Sequence, residues 1–218
     1  MIESRLRKIQ SEIFTAAGSR PVKIIGASKM VKTEGIRQAY DSGLRCFGEN
    51  RIQEAIPKIQ NLPPDIEWHF IGHLQSNKVR DAVSHFSCIE SVDSVRILVK
   101  IDQEAVKQDK SMVVLVEINL GGEETKHGAD PEDLENFIKE SGNLQKTEVR
   151  GLMAIPPFFE DTERVRPYFK RLQSLAAGYP QLVELSMGMS HDYIVAVEEG
   201  ATIVRIGTAL FGERGRRV

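Results

Sequence analysis

The sequence is poor in the residues that build disulfide frameworks and metal centres. Its 218 residues include only two cysteines, Cys46 and Cys88, which form no CxxC pair. Such isolated cysteines predict neither a disulfide framework nor a zinc site. The five histidines show no HxxxH or HExxH spacing, so the sequence also argues against a bound metal.

An excess of charge of one sign and long apolar runs are also missing. The formal net charge is -2, so the sequence does not show the excess of basic residues that is typical of a protein that binds nucleic acid or an acidic membrane. The longest apolar runs, such as Met112 to Val116, are too short to span a bilayer. The N-terminus, MIESRLRKIQSEI, is charged and has no apolar signal-peptide core. These absences predict a cytoplasmic protein that binds neither nucleic acid nor a membrane.

What the sequence does contain is a regular alternation of apolar strands and amphipathic helices. Apolar residues at helical spacing predict an N-terminal helix over residues 2–17. About eight strands follow, and nearly every one is followed by a helical segment. The predicted strands cover residues 22–29, 45–50, 67–72, 88–92, 111–120, 148–155, 183–188 and 202–207.

This alternation indicates a parallel sheet, because parallel neighbours need crossover connections and the crossovers here are helices. Eight such units close a (β/α)8 barrel. The competing architecture, an open doubly wound sheet, lacks its GxGxxG turn after the first strand. We therefore predict an α/β protein with one domain over residues 1–218, a (β/α)8 TIM barrel with an extra N-terminal helix.

In such barrels the ligand site lies at the carboxyl ends of the strands. The first strand, VKIIGASK, ends in Lys29, which by alternation shares the inner face with Ile25 and Ala27. Most lysines at strand ends are simply exposed to solvent. An inward-facing lysine is not explained by core packing, so Lys29 is a candidate for a functional role. Thr33 is expected to cap the helix that follows and runs to Ser42.

Arg205 is the second unusual residue, because alternation in the eighth strand places it on the face opposite Val204 and Ile206. If those two residues pack on helices, the arginine points into the barrel. A buried arginine stays charged and needs an acceptor. An ion pair with an inward carboxylate such as Glu117 explains it equally well on sequence alone.

Two glycine-containing turns follow strands seven and eight. The first, SMGMS, begins with Ser186 and Met187, and the second, RIGTALFG, contains Gly207 and Thr208. Free backbone N–H groups at such turns favour anions, and two adjacent turns predict a phosphate monoester. Each turn alone is a weak signal, because glycine after a strand is common.

The other strand ends and charged segments are weaker signals. Asn50, His69, Gly72 and Met153 also fall at strand ends, although His69 fits a core histidine equally well. We expect the charges of Glu123, Glu124, Lys126 and Arg214 to Arg217 to be solvated.

A lysine at the first strand end, an inward arginine and two phosphate turns together suggest pyridoxal phosphate. The chain resembles the YggS/PROSC family, the pyridoxal phosphate homeostasis proteins, which share the fold of the N-terminal barrel of alanine racemase. The resemblance extends over almost the whole chain. Its blocks are GASK (26–29), FGENRIQE (47–54), WHFIGHLQSNK (68–78), NLGGEETKHG (119–128), RGLMAI (150–155), LSMGMSHDY (185–193) and VRIGTALFG (204–212).

The resemblance implies a role for each candidate residue. Lys29 forms a covalent internal aldimine (a Schiff base) with pyridoxal 5'-phosphate, and Arg205 lies against the pyridine nitrogen. The residues expected around the phosphate are Ser186, Met187, Gly207 and Thr208, and those expected to border the ring are Asn50 and Met153. No catalytic residue and no metal ligand are implied.

Three functions remain open. An arginine keeps the pyridine nitrogen unprotonated, which weakens the ring as an electron sink. Two-base racemisation needs a second acid/base; in alanine racemase it comes from an additional domain that we do not expect here, and no tyrosine falls at a strand end. We therefore expect a monomeric, non-enzymatic carrier in vitamin B6 homeostasis that supplies apo-enzymes. The alternatives are a minimal pyridoxal phosphate-dependent racemase or lyase and a phosphosugar-binding barrel enzyme.

Overall fold

Eight parallel strands close into a barrel. The computed structural model describes residues 1–122 and 127–212. Each strand pairs with the next along the chain, and the eighth pairs with the first. The strands are β1 (Lys23–Ala27), β2 (Cys46–Glu49), β3 (Glu67–Phe70), β4 (Cys88–Val92), β5 (Met112–Glu117), β6 (Thr147–Met153), β7 (Glu184–Met189) and β8 (Ile203–Ile206). The predicted (β/α)8 barrel is confirmed.

Helices connect all consecutive strands. The α-helices are α1 (Ile2–Ala17), α2 (Thr33–Asp41), α3 (Ile52–Asn61), α4 (Val79–His85), α5 (Val95–Lys107), α6 (Leu134–Ser141), α7 (Arg166–Ala177), α8 (Tyr193–Glu198) and α9 (Thr208–Phe211). Short 3₁₀ turns at Ser76–Lys78, Pro131–Asp133 and Thr162–Val165 precede α4, α6 and α7. In the part of the chain that the structure describes, no helix combines the length and apolarity needed to cross a bilayer.

The start of α2 differs from the prediction by one residue. Thr33 is the first helical residue, and Lys32 is the N-cap with extended backbone angles. A turn precedes it, in which the Val31 N–H donates to the Ser28 carbonyl and Met30 adopts a positive φ of 61°. This turn places Lys32 in the extended conformation that an N-cap requires, so the cap prediction for Thr33 was wrong.

Side chains from the strands alternate between two cores. The outer core lies between strands and helices and includes Val204 and Ile206 of β8. The inner core lies inside the barrel, and its apolar members are Ile25, Cys46, Cys88, Leu115, Met153 and Ile203. Arg205 alternates with the outward pair and is 4% exposed, so its predicted inward direction is confirmed.

Candidate functional site

A cavity of about 280 Å³ opens at the carboxyl ends of the strands. Five of the eight residues predicted for the site line this mouth pocket: Lys29, Asn50, Arg205, Gly207 and Thr208. They follow or belong to β1, β2 and β8, which are neighbours in the barrel. The barrel closure therefore brings together residues that lie far apart in the sequence.

Lys29 is exposed and follows β1 by two residues. The residue before it, Ser28, is buried and tightly held. Its N–H donates to the Gly48 carbonyl at 2.9 Å, and its hydroxyl donates to Glu49 Oε1 at 2.6 Å. Lys58 Nζ donates to both the Ser28 carbonyl (2.9 Å) and Glu49 Oε1 (2.7 Å). The backbone that carries Lys29 to the mouth pocket is thus fixed by a buried ion pair.

Asn50 comes directly after β2 and lines the mouth pocket together with Lys29. Its Oδ1 atom is buried and accepts no hydrogen bond from any described residue. The backbone of Gly72 crosses so close that a Cβ there would lie 2.3 Å from the Asn50 carbonyl oxygen. Gly72 therefore acts by permitting this close approach, and the Asn50 side chain offers an unsatisfied acceptor beside the mouth pocket.

Arg205 is held from two neighbouring strands. Its Nη1 donates to the carbonyl and the hydroxyl of Ser186, at 2.8 and 2.6 Å, and its Nη2 donates to the Ala154 carbonyl at 2.8 Å. Burial lowers the pKa of Arg205, against the attraction of Glu90 and Glu117. The guanidinium nevertheless remains charged, because its ordinary pKa is far above neutrality.

The carboxylate nearest to Arg205 is not the one expected from the sequence. Glu90 Oε2 of β4 lies 3.9 Å from Arg205 Nη1, whereas no ion pair with Glu117 lies within 4.0 Å among the described residues. Burial raises the pKa of Glu117 to about 7, although Arg205 opposes the shift. Glu117 is therefore only partly ionised at neutral pH, and Glu90 is the acidic neighbour that the sequence reasoning missed.

Three other predicted residues lie outside the mouth pocket's lining. Ser186 is completely buried between Arg205 and Glu90, and Met153 is completely buried in the inner core. The Met187 side chain packs in the outer core, so contact with a ligand at the mouth would have to come from its backbone.

Met187 faces the outer core because it alternates with the inward-facing Ser186, and a bulge in β7 then changes the direction of the residues that follow. Ser186 pairs with Ile203 and Met189 pairs with Arg205, so three residue steps along β7 correspond to only two along β8. Within this bulge Gly188 adopts a φ of 90°. The alternation therefore breaks, and Met189 and Ser190 face the mouth pocket instead. Ser190 Oγ accepts hydrogen bonds from the N–H groups of Gly207 and Ala209, at 3.0 and 3.2 Å. The sequence showed a polar turn here but not which of its residues faces inward.

His69 lies inside the barrel, 1% exposed, rather than at the mouth. Its Nε2 lies 2.9 Å from Glu67 Oε1, and its Nδ1 lies 2.5 Å from Glu90 Oε1. An ionised carboxylate only accepts hydrogen bonds, so each ring nitrogen carries a proton and the ring is an imidazolium. The core-histidine interpretation from the sequence agrees with this position.

Three described groups combine side chains of metal-ligating types, and two of them share His69, one of these with Cys46 and Glu67. In the barrel, His69 lies near Cys88 and Glu90, but both of its ring nitrogens already contact carboxylates. At the mouth, the rings of His73 and His127 stack near Asp93, with centroids 3.7 Å apart and planes 10° apart. The lone pairs of stacked rings lie in two nearly parallel planes, so they do not converge on one ion. None of these groups is arranged to hold a metal as it stands.

Two groups of predicted solvated charges lie outside the residues that the structure describes. They are Glu123, Glu124 and Lys126, and Arg214 to Arg217.

Comparison with known proteins gives consistent results over the whole chain. A family model described as the alanine racemase N-terminal domain matches residues 5–215. A pyridoxal phosphate homeostasis protein of Aquifex aeolicus is 47% identical over 216 residues, which cover 96% of this chain and 95% of that protein. The PipY protein of Synechococcus elongatus, solved without and with pyridoxal phosphate, is 40% identical, and the match covers 97% of this chain and 100% of PipY. The TM-scores of these two structures are 0.89 and 0.86.

Both the extent and the identity of these matches exceed what a shared barrel architecture alone would give. A further homeostasis protein, from Escherichia coli, is 34% identical, with 98% of this chain and 97% of that protein covered. The chain therefore belongs to the family of pyridoxal phosphate homeostasis proteins, whose fold is that of the alanine racemase N-terminal domain.

Proposed function

We propose that this protein binds pyridoxal 5'-phosphate in the mouth pocket through a Schiff base on Lys29, and that it stores or delivers the cofactor without turning over a substrate. The observation that carries the proposal is the convergence of Lys29, Arg205, Gly207 and Thr208 on one cavity. The names of the relatives and the cofactor in PipY support the same ligand. When bound, the cofactor supplies an aldehyde that a lysine amine captures reversibly.

The residues present fit the proposed ligand. Arg205 spends three of its five N–H groups on Ser186 and Ala154, which leaves donors for a ring nitrogen. Guanidinium only donates, so it suits an unprotonated nitrogen. The buried Asn50 Oδ1, which lacks a donor among the described residues, would gain one from a ligand hydroxyl or protonated imine. Thr208 would hold the phosphate with its hydroxyl, beside Gly207, whose N–H already donates to Ser190 Oγ.

The absence of a tyrosine from the described lining of the mouth pocket favours a carrier over a racemase. The four tyrosines do not line the mouth pocket as the structure describes it, and the hydroxyl of Tyr193 donates to Glu12 instead. A racemase would need an acid/base on the ring face opposite the lysine. Without such an acid/base we expect no racemisation. We propose instead that the bound aldehyde is exchanged and that apo-enzymes receive it.

One observation favours the alternative of a racemase or lyase. His191 also lines the mouth pocket, and its Nε2 lies 3.1 Å from the Phe159 carbonyl oxygen and 3.2 Å from that of Glu160. Carbonyl oxygens only accept, so Nε2 carries a proton and is tied to this loop. Turnover of an amino acid that is lost in His191→Ala would support the alternative.

The test is a titration of the purified protein with pyridoxal 5'-phosphate, followed by its visible spectrum. We expect a saturable absorption band in the wild type and its loss in Lys29→Ala. The control is Lys78→Ala, since Lys78 lines a neighbouring cleft of about 420 Å³ that shares Asn50 with the mouth pocket. The control should keep the band, and no variant should turn over amino acids.

Two results would contradict the proposal. An unchanged band in Lys29→Ala would place the cofactor on another lysine. A wild-type protein that takes up no pyridoxal 5'-phosphate would favour the phosphosugar alternative.

A further inference from the structure

Five charged side chains of alternating sign extend along the inside of the barrel. In order they are Lys23, Glu67, His69, Glu90 and Arg205. Lys23 and Glu67 begin β1 and β3, and they line a cleft of about 490 Å³ at the amino-terminal end of the barrel. Arg205 lines the mouth pocket at the opposite end. We call this series the axial chain.

The contacts along the axial chain are short and continuous. Lys23 Nζ lies 2.8 Å from Glu67 Oε1, which in turn lies 2.9 Å from His69 Nε2. His69 Nδ1 lies 2.5 Å from Glu90 Oε1. The second oxygen of Glu90 accepts the Ser186 hydroxyl at 2.5 Å, and Ser186 Oγ accepts from Arg205 Nη1 at 2.6 Å.

The charge states follow from these contacts. Burial acts against a charged His69, yet its pKa is raised well above the ordinary value. The carboxylates that contact both ring nitrogens favour the charged ring. The hydrogen bond from His69 is the main cause that lowers the pKa of Glu67 to about 2. Burial works to raise the pKa of Glu90, yet the same imidazolium gives it a net downward shift.

The direction of each hydrogen bond between Glu90 and Arg205 is also fixed. Ser186 has one hydroxyl proton, which goes to the carboxylate, because an ionised carboxylate cannot donate. Its oxygen must then accept from Arg205, which has no acceptor atom. Glu90 thus orients the hydroxyl, and the hydroxyl orients the guanidinium together with the carbonyls of Ser186 and Ala154. Without the imidazolium, Glu90 would be a buried carboxylate lacking its main ionic partner.

We propose that Glu90 is a positioning residue for the cofactor: kept ionised by His69 and acting through Ser186, it holds Arg205 in one orientation, with its remaining N–H groups directed at the pyridine nitrogen. This inference rests on the proposed function, since the nitrogen belongs to pyridoxal 5'-phosphate. Glu90 does not line the mouth pocket, so its effect on the ligand has to pass through Arg205.

The two glutamates beside His69 provide a matched comparison. Both contact the same imidazolium, but only Glu90 continues through Ser186 to Arg205. Glu67→Gln and Glu90→Gln therefore remove the same charge from opposite sides of one ring. A general effect of weakening His69 would appear in both variants, whereas a positioning effect would appear in Glu90→Gln alone.

The first readout uses the protein without cofactor. In a ¹⁵N-resolved NMR spectrum we expect separate, slowly exchanging N–H signals for the Arg205 guanidinium in the wild type and in Glu67→Gln. We expect these signals to average or broaden in Glu90→Gln. Ser186→Ala keeps the charges of Glu90 and Arg205 and removes only the hydroxyl that links them, so it should show the same change. This variant also covers the case in which Glu90→Gln does not fold. Wild-type signals in Ser186→Ala, or in a folded Glu90→Gln, would overturn the proposal.

The second readout is the dissociation constant of pyridoxal 5'-phosphate, from the visible band. Misplacing one charged donor should weaken binding about tenfold in Glu90→Gln and about threefold in Ser186→Ala, while Glu67→Gln stays within about twofold of the wild type. Equal losses in the two glutamate variants would contradict the inference. If the wild type bound no cofactor, the proposed function would fail, and the NMR comparison would still decide whether the axial chain orients Arg205.

Discussion

The outer and inner cores of this barrel are filled with different chemistry. The outer core is a large cluster of buried apolar side chains that includes Phe47 and Phe169. The inner core has six buried apolar side chains, but it shares the barrel interior with the buried groups of His69, Glu90 and Arg205. Both cores are built from the same strands, because successive strand residues face opposite sides of the sheet.

This difference separates stability from ligand binding. Apolar burial in the outer core stabilises the fold in proportion to the area removed from water. A buried ionic chain adds little net stability, since desolvation offsets much of the attraction. Its charges are nevertheless well matched, and the chain ends at a residue of the mouth pocket. The polar interior is therefore best explained by the site that it supports.

The largest expected effect tests the outer core. Phe169→Ala removes a fully buried ring and should lower the free energy of unfolding by about 3–5 kcal/mol, measured by urea denaturation. Phe158 is 75% exposed, so Phe158→Ala should change stability by no more than about 0.5 kcal/mol. The folded Phe169→Ala protein should still bind pyridoxal 5'-phosphate. Equal stability losses in both variants would contradict the role assigned to the outer core.

A smaller, pH-dependent effect tests the charged inner core. Burial raises the pKa of Glu117 from 4.5 to about 7, so the folded protein keeps a proton that the unfolded chain releases. The free energy of unfolding should therefore fall as the pH rises from about 4.5 to about 7, by up to about 3 kcal/mol from this group.

Glu117→Gln should remove that slope and stabilise the protein at pH 8 relative to the wild type. Urea denaturation of both proteins across this pH range measures the difference. Parallel stability curves would show that Glu117 ionises normally inside the barrel.

The smallest expected effect concerns the apolar part of the inner core. Met153 is fully buried there, and Met153→Leu conserves its volume, so the loss of stability should stay below about 1.5 kcal/mol. The visible band of the bound cofactor should not move, because Met153 does not line the mouth pocket. A shifted band would instead support the sequence-based expectation that Met153 borders the ring.

Most of the fold could be predicted because the strands are apolar, short and regularly separated by helical segments. Alternation alone gave the inward direction of Arg205, since β8 is regular around it. The same rule gave no warning at β7, where Gly188 and the adjoining bulge reset the alternation. The site was therefore easier to predict on regular strands than at a bulge.

The partners of Arg205 could not be read from the sequence for a different reason. Glu90 and Arg205 are separated by more than one hundred residues and lie on non-adjacent strands, β4 and β8. Which inward carboxylate meets the arginine depends on how far along the barrel axis each one lies. Sequence spacing does not record that distance, so the sequence suggested Glu117 and gave no indication of Glu90.

The most direct test of the account is to reduce the protein with borohydride in the presence of pyridoxal 5'-phosphate and to identify the modified peptide by mass spectrometry. The account predicts a pyridoxyl group on Lys29, at one group per chain. A pyridoxyl group on other lysines, or none on a folded protein, would contradict it.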